Sequence, residues 1–356
     1  MKTFIRATGN ISPQKTFGSA TSGTPLLQEL VIQNGNRLRC TEPDYLRYID
    51  AKFIRRMSRI IKMGTAAAME CLQEAGVQNP DAIVMGTAYG CLEDTGIFLK
   101  KMMEQNEEML TPTAFIQSTH NTIGAQIALL LQCHNYNNTF VHRGFSFESA
   151  LLDAMMLLEE NAATTVLAGA ADEITDYSHA VLSRFGLYKK EAISNTGLYN
   201  TRSKGTIAGE GAAFFLLSNQ ASEKDYAVLD ALYTFYKPAN TKEVEQQVIN
   251  FLKAQSLTAA DIDLVITGSN GDTKGDAVYR ELVDTVFKNN TIAGYKQLCG
   301  EYPSSTAFAL WLATLVIKNG GLPAVLGIPS PPRIKRILIY NHYQNIHHSL
   351  MLVSAC

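Results

Sequence analysis

The chain has 356 residues, 46% of them hydrophobic and 18% charged, which is enough apolar content for a large core and too much for a disordered polymer. Thirty-one Lys and Arg stand against thirty-three Asp and Glu, a formal charge of −2 with no basic run, and this excludes a broad nucleic-acid-binding face. No apolar stretch approaches about 18 residues, and the opening MKTFIRATGNISPQ mixes charge, Gly and Pro, so neither a membrane span nor a secretory signal is read and the cytoplasm is the expected compartment.

Taken in chain order, RRMSRIIKMGTAAAMECLQEAG (55–76) has helical apolar spacing and a Gly stop. DAIVMGTAYG (81–90) is a short buried strand that breaks at glycine, TFVHRG followed by SFESALLDAMMLLEEN (139–161) predicts strand, tight turn and helix, and TVLAGAADE (165–173) is another strand. AGEGAAFFLL (208–217) runs from small residues into a β-prone stretch. The rhythm then repeats, with a strand at 226–236, a helix at 240–257, a strand ending in a Gly-rich turn at 263–271, a helix at 307–321 and a terminal hairpin from RIKRILIYNHY and SLMLVSA. The fold class is therefore α/β, with two similar halves divided at the polar stretch after Ser218, as 1–218 and 219–356.

Six cysteines, Cys40, Cys71, Cys91, Cys133, Cys299 and Cys356, lie far apart without a CxxC pair, so they are read as small buried hydrophobes, and no metal or other cofactor is expected. The turn in VHRGFSFES (141–149) sits where a strand feeds a helix N-terminus, a place that stabilises an anion or thiolate, yet it offers Gly144, Phe145 and Ser146 without the His and Asp of a serine hydrolase.

With these elements in this order the sequence resembles the β-ketoacyl synthases of the thiolase superfamily, which extend acyl chains on acyl carrier protein. ATGNISP is similar to the family's opening ITGxGxISP, MGTAYGCLED to its first Gly-rich turn, AGEGAAFFLL to GEGAGxxVLE, and SNGDTKGD to the end of GTGTxxGD. The resemblance implies a thiolase-like fold with αβαβα layers. It also implies a nucleophilic Cys and two histidines, and all three are missing. Phe145 stands at the Cys position, Gly268 at the first His and Glu301 at the second, while Lys296 is retained. A phenyl ring can neither ionise nor form a thioester. Tyr279 replaces the family's acid after the GD, with Glu281 two places later, and NHYQNIHHSL (341–350) replaces the glycine-rich C-terminal loop, so the backbone there must follow another path.

The implied partner is an acyl carrier protein. The implied assembly is a heterodimer with an active ketosynthase or a homodimer, in the manner of the chain-length factors of iterative polyketide systems, including those making aryl polyenes. Phe145, Phe147, Met155 and Met156 are the candidates for shaping an acyl tunnel, weighed against an ordinary core role. Two other readings stand beside this one. A remodelled acyltransferase, decarboxylase or hydrolase would use Glu301 with His342, His347 and His348 on an exposed C-terminal loop, or Cys91 or Cys299 as a displaced nucleophile. A non-catalytic scaffold would bind acyl groups or carrier protein.

Overall fold

Strands that are apolar on both faces must be covered on both faces, and this chain has several. Every residue of the stretch Gly211–Ser218 is buried, and every residue but the last of His347–Ser354. The computed structural model describes residues 2–18 and 27–356. In it ten strands form one sheet: β1 (Thr3–Ile11), β2 (Ala82–Gly86), β3 (Tyr136–Phe140), β4 (Thr165–Asp172) and β5 (Gly211–Ser218), then β6 (Ala227–Tyr236), β7 (Leu264–Thr267), β8 (Thr291–Gly294), β9 (Arg336–Tyr343) and β10 (His347–Ser354). Their order is β8-β7-β9-β10-β6-β1-β5-β4-β2-β3. Read outward from the seam, each run of five has the same order: first, fifth, fourth, second, third. The runs meet where β1 pairs antiparallel with β6, Thr3 opposite Leu229 and Ile5 opposite Ala227.

Side-chain alternation sorts the core packed on the sheet into three clusters, beside a small one of Leu38, Leu198 and Ile207. On β5, Phe214 and Leu216 pack with helices α1 (Arg59–Ala75) and α3 (Thr122–Leu131), the latter following α2 (Leu92–Glu104). Phe215 and Leu217 point the other way, onto α4 (Ser146–Glu159). After α5 (Asp176–Arg184), helices α6 (Thr241–Ala254) and α7 (Ala277–Thr285) cover Leu338, Leu350 and Leu352. Ile339, Met351 and Val353 instead join Phe215 around α4 and α8 (Thr306–Asn319). Eleven consecutive residues of α8, Thr306 to Val316, are buried, as a helix sandwiched between two sheet faces requires. The result is the αβαβα layering the resemblance implied, with α4 and α8 as its middle layer.

Two boundaries differ from the sequence reading. The helix predicted from Arg55 begins at Arg59, because Arg56 and Met57 hydrogen-bond back to Phe53 and Ile54 in a preceding turn and Ser58 takes the extended cap conformation. The segment 341–350, expected as an exposed loop, is strand at 341–343 and 347–350 with a three-residue turn between. Gln344 and Asn345 adopt φ of +57° and +52°, which closes a tight turn of the hairpin-forming handedness between β9 and β10. Among the described residues, no helix is long and apolar enough to cross a membrane.

Candidate functional site

The strand-to-helix corner lies between β3 and α4. Arg143 is forced to φ +48°, and Ser146 latches the bend: its Oγ accepts from the His142 N–H at 2.9 Å and donates to the Arg143 carbonyl at 2.9 Å. Ser146 is thus a buried turn lock and is not free to act as a nucleophile. Gly144 is required here, since a Cβ on it would lie 2.6 Å from the Tyr343 Cβ and 3.0 Å from that of His347. The tip of the β9–β10 hairpin therefore rests directly on the corner. Phe145, 7% exposed, meets the His347 ring edge-to-face at 4.8 Å and the His142 ring at 5.5 Å.

The other two positions are equally occupied. Gly268 lies at the end of β7, where its missing Cβ would fall 2.1 Å from Asn341 Oδ1 and 2.6 Å from the Tyr279 hydroxyl. Asn341 is fixed in turn by the Tyr295 hydroxyl at 2.9 Å. Glu301 accepts from Lys296 Nζ at 2.8 Å through one carboxylate oxygen and from Asn270 Nδ2 at 2.7 Å through the other. Lys296 is fully buried and also donates to Ser305 Oγ, so the retained lysine finds its counter-ion at position 301.

The three C-terminal histidines are buried strand and turn-flanking residues, which corrects the expectation of an exposed loop. Alternation along the hairpin turns them into packed surroundings. His342 stacks on Tyr279 at 4.7 Å, reaches the Gly275 carbonyl with Nε2 at 3.0 Å and accepts from the Asn345 N–H at Nδ1. Burial, with help from His348, pushes its pKa down to about 3. His348 pairs with the Tyr340 hydroxyl at 3.0 Å, and burial lowers it to about 4. His347 is lowered as well, first by burial and then by His142 and Arg143. All three are neutral near pH 7. Cys91 and Cys299 are fully buried, and burial drives both thiols up and away from the reactive thiolate.

The four tunnel candidates do not come together. Phe145 lines the corner, Phe147 is core packed against Phe215, Met155 of α4 is partly buried against that same core, and Met156 is 49% exposed on α4. What the structure does assemble is a cavity of about 350 Å³ walled by Tyr188, Thr206, Asn270, Glu301, His342 and Tyr343. No cysteine or serine lines it, and its one buried carboxylate is neutralised by Lys296. It can admit a small half-polar group, and its lining holds no thiol that could form a thioester. Among the described residues, no three His, Cys, Asp or Glu side chains are arranged to hold a metal ion.

Three buried acids escaped the sequence reading. Asp172 accepts from Thr87 Oγ1, the Ala88 N–H and Ser304 Oγ, which ties both runs of the sheet together behind the cavity. Glu210, inside the quoted AGEG motif, takes a bidentate grip from Arg59 at 2.6 and 2.8 Å. Glu148 is 1% exposed on the first turn of α4, and neither oxygen closes a hydrogen bond, although the Thr306 and Ser349 hydroxyls and the Lys296 ammonium lie close enough to offset part of its burial. It sits among Thr306 at the start of α8, Ser349 of β10 and Lys296.

Burial raises Glu148 to about 7. The unfolded chain gives up this proton near the ordinary carboxylate value, while the folded chain keeps it to about pH 7. The folded state therefore binds more protons in that window, and stability falls as pH rises through it, by on the order of 3 kcal/mol. Glu148→Gln should gain stability relative to the native chain between pH 5 and pH 8, read from denaturant midpoints. A difference that stays flat over that range would show that Glu148 ionises normally.

Residues 34–192 match the model of the β-ketoacyl synthase N-terminal domain. No curated protein sequence matches the chain. Among solved structures, the ishigamide ketosynthase/chain length factor is 16% identical with a TM-score of 0.80, over 100% of this chain and 99% of that one. A type II polyketide synthase acyl carrier protein in complex with its ketosynthase, bound to the hexaketide, gives 15% and 0.72, over 100% and 99%. A ketosynthase in complex with its chain length factor from Xenorhabdus doucetiae gives 14% and 0.74, over 100% and 98%. At these identities the likeness establishes a thiolase-like fold from end to end.

Proposed function

We propose that this chain, which carries a β-ketoacyl synthase N-terminal domain over residues 34–192 on a thiolase-like fold, is a non-catalytic partner of an active ketosynthase, of the chain-length-factor type. Its pathway is fatty acid or polyketide synthesis, aryl polyenes included, and the growing chain is delivered on acyl carrier protein. One observation carries the reading: the three positions a condensing enzyme needs are all filled with groups that cannot do its chemistry. Phe145 cannot be acylated, Gly268 has no room for an imidazole, and Glu301 is bound to Lys296. The solved relatives that pair a ketosynthase with a chain length factor support the partnership.

In this reading Phe145 is the residue of this chain that bounds the acyl tunnel, because of the four candidates it alone stands at the corner. The test is reconstitution with the ketosynthase encoded nearest to it. Malonyl-dependent elongation on acyl carrier protein should require both chains, and Phe145→Ala should shift the product-length distribution. Elongation of unchanged length by the ketosynthase without this chain would overturn the proposal.

A further inference from the structure

A phenyl ring makes no hydrogen bonds, so what packs on Phe145 decides where it stands. Its two ring neighbours differ in kind. His142, at 5.5 Å, is an exposed side chain, whereas His347, at 4.8 Å and nearly perpendicular, is 7% exposed and walled in. The strand register builds that wall. His347 opens β10 and stands opposite Tyr343 across the hairpin and opposite Tyr236 on β6. Those two rings lie 6.3 Å and 5.3 Å from the imidazole. Tyr343 is tied in turn, its hydroxyl 3.2 Å from that of Tyr89.

The base of the imidazole presses on Gly144, where a Cβ would lie 3.0 Å from the His347 Cβ and 3.1 Å from its Cγ. The buried Nδ1 of His347 closes no hydrogen bond, so the ring acts on the corner by its edge and its volume. We propose that His347 is a positioning residue: it fixes the pose of Phe145, and through it the β9–β10 hairpin sets how long the acyl chain can grow. The proposal rests on the role given to Phe145 above and places a second determinant of product length on a different element. Truncating His347 opens space behind the phenyl ring, which then reaches rotamers the native packing denies it.

The test reconstitutes the full chain with the ketosynthase encoded nearest to it and with acyl- and malonyl-loaded carrier protein, and weighs the acyl chains formed. His347→Ala should move the length distribution in the same direction as Phe145→Ala and at least half as far, while His347→Phe, which restores a ring, should return it to the native one. In the Phe145→Ala background His347→Ala should add nothing, since a positioning residue acts only through the ring it positions. Should His347→Ala fail to fold, Tyr236→Ala strips the outer side of the same wall from an exposed position and should shift the lengths the same way. A native distribution in these variants beside a shifted Phe145→Ala overturns the proposal and leaves the functional reading standing, even where the total yield falls. A further shift in the double variant also overturns it, because His347 would then act on the acyl chain without Phe145. Lengths that no variant moves, Phe145→Ala included, overturn the functional reading together with the proposal.

Discussion

Gly268→His is expected to destabilise the protein by about 3 kcal/mol or more and to yield no decarboxylase. On the motif resemblance this is the place of a condensing enzyme's first histidine, so the substitution looks like a repair. The backbone here cannot yield, because the Gly268 N–H donates to the Tyr340 carbonyl at 2.9 Å within the β7–β9 ladder. The side chains in the way cannot yield cheaply either. Asn341 holds the Tyr295 hydroxyl, and Tyr279 accepts from the His342 N–H while stacking on its ring. Any Cβ at 268 displaces this cluster, and an imidazole adds five further ring atoms. A urea midpoint for Gly268→His equal to that of the native chain would show that the histidine volume is still open.

Lys296→Met should cost about 3–5 kcal/mol, because it strands the Glu301 carboxylate with Asn270 as its remaining side-chain donor. The double change Lys296→Met with Glu301→Leu should recover at least half of the loss, since it removes the buried charge as well as its partner. This pattern distinguishes a structural ion pair from a catalytic lysine, which the second substitution would not rescue. If the single variant were as stable as the native chain, Glu301 would have to be solvated and available as a base.

The layered fold was legible because apolar runs such as VLAGAA in β4 and FFLL in β5 admit only two-sided burial, and the Gly-bounded elements recur in the same order twice. The reading that the condensing residues are lost rests on residue identity at motif positions, on Phe145, Gly268 and Glu301, and belongs to the sequence alone. What the sequence did not disclose was where the hairpin would lie. Replacement of a glycine-rich loop by NHYQNIHHSL signals a different path, but only the left-handed pair Gln344–Asn345 turns it into a hairpin that sets His347 on Phe145. The histidines read as solvated donors for that reason, and Glu148 carried no sequence signal at all. Cys91 and Cys299 fall beside glycines in sequence, where a reactive thiol is plausible, and it is the packing of the surrounding layers that removes them from solvent.

The central claim is that this chain carries no acylable group at its ketosynthase site, and intact-mass spectrometry tests it most directly. The purified chain is incubated with acyl-loaded carrier protein, then weighed, with an active ketosynthase as the positive control. The expected spectrum is the unmodified mass at every time point, and malonyl-carrier should likewise remain undecarboxylated. An added acyl mass on this chain, mapped to Cys91, Cys299 or Ser146, would contradict the account and make the chain an enzyme.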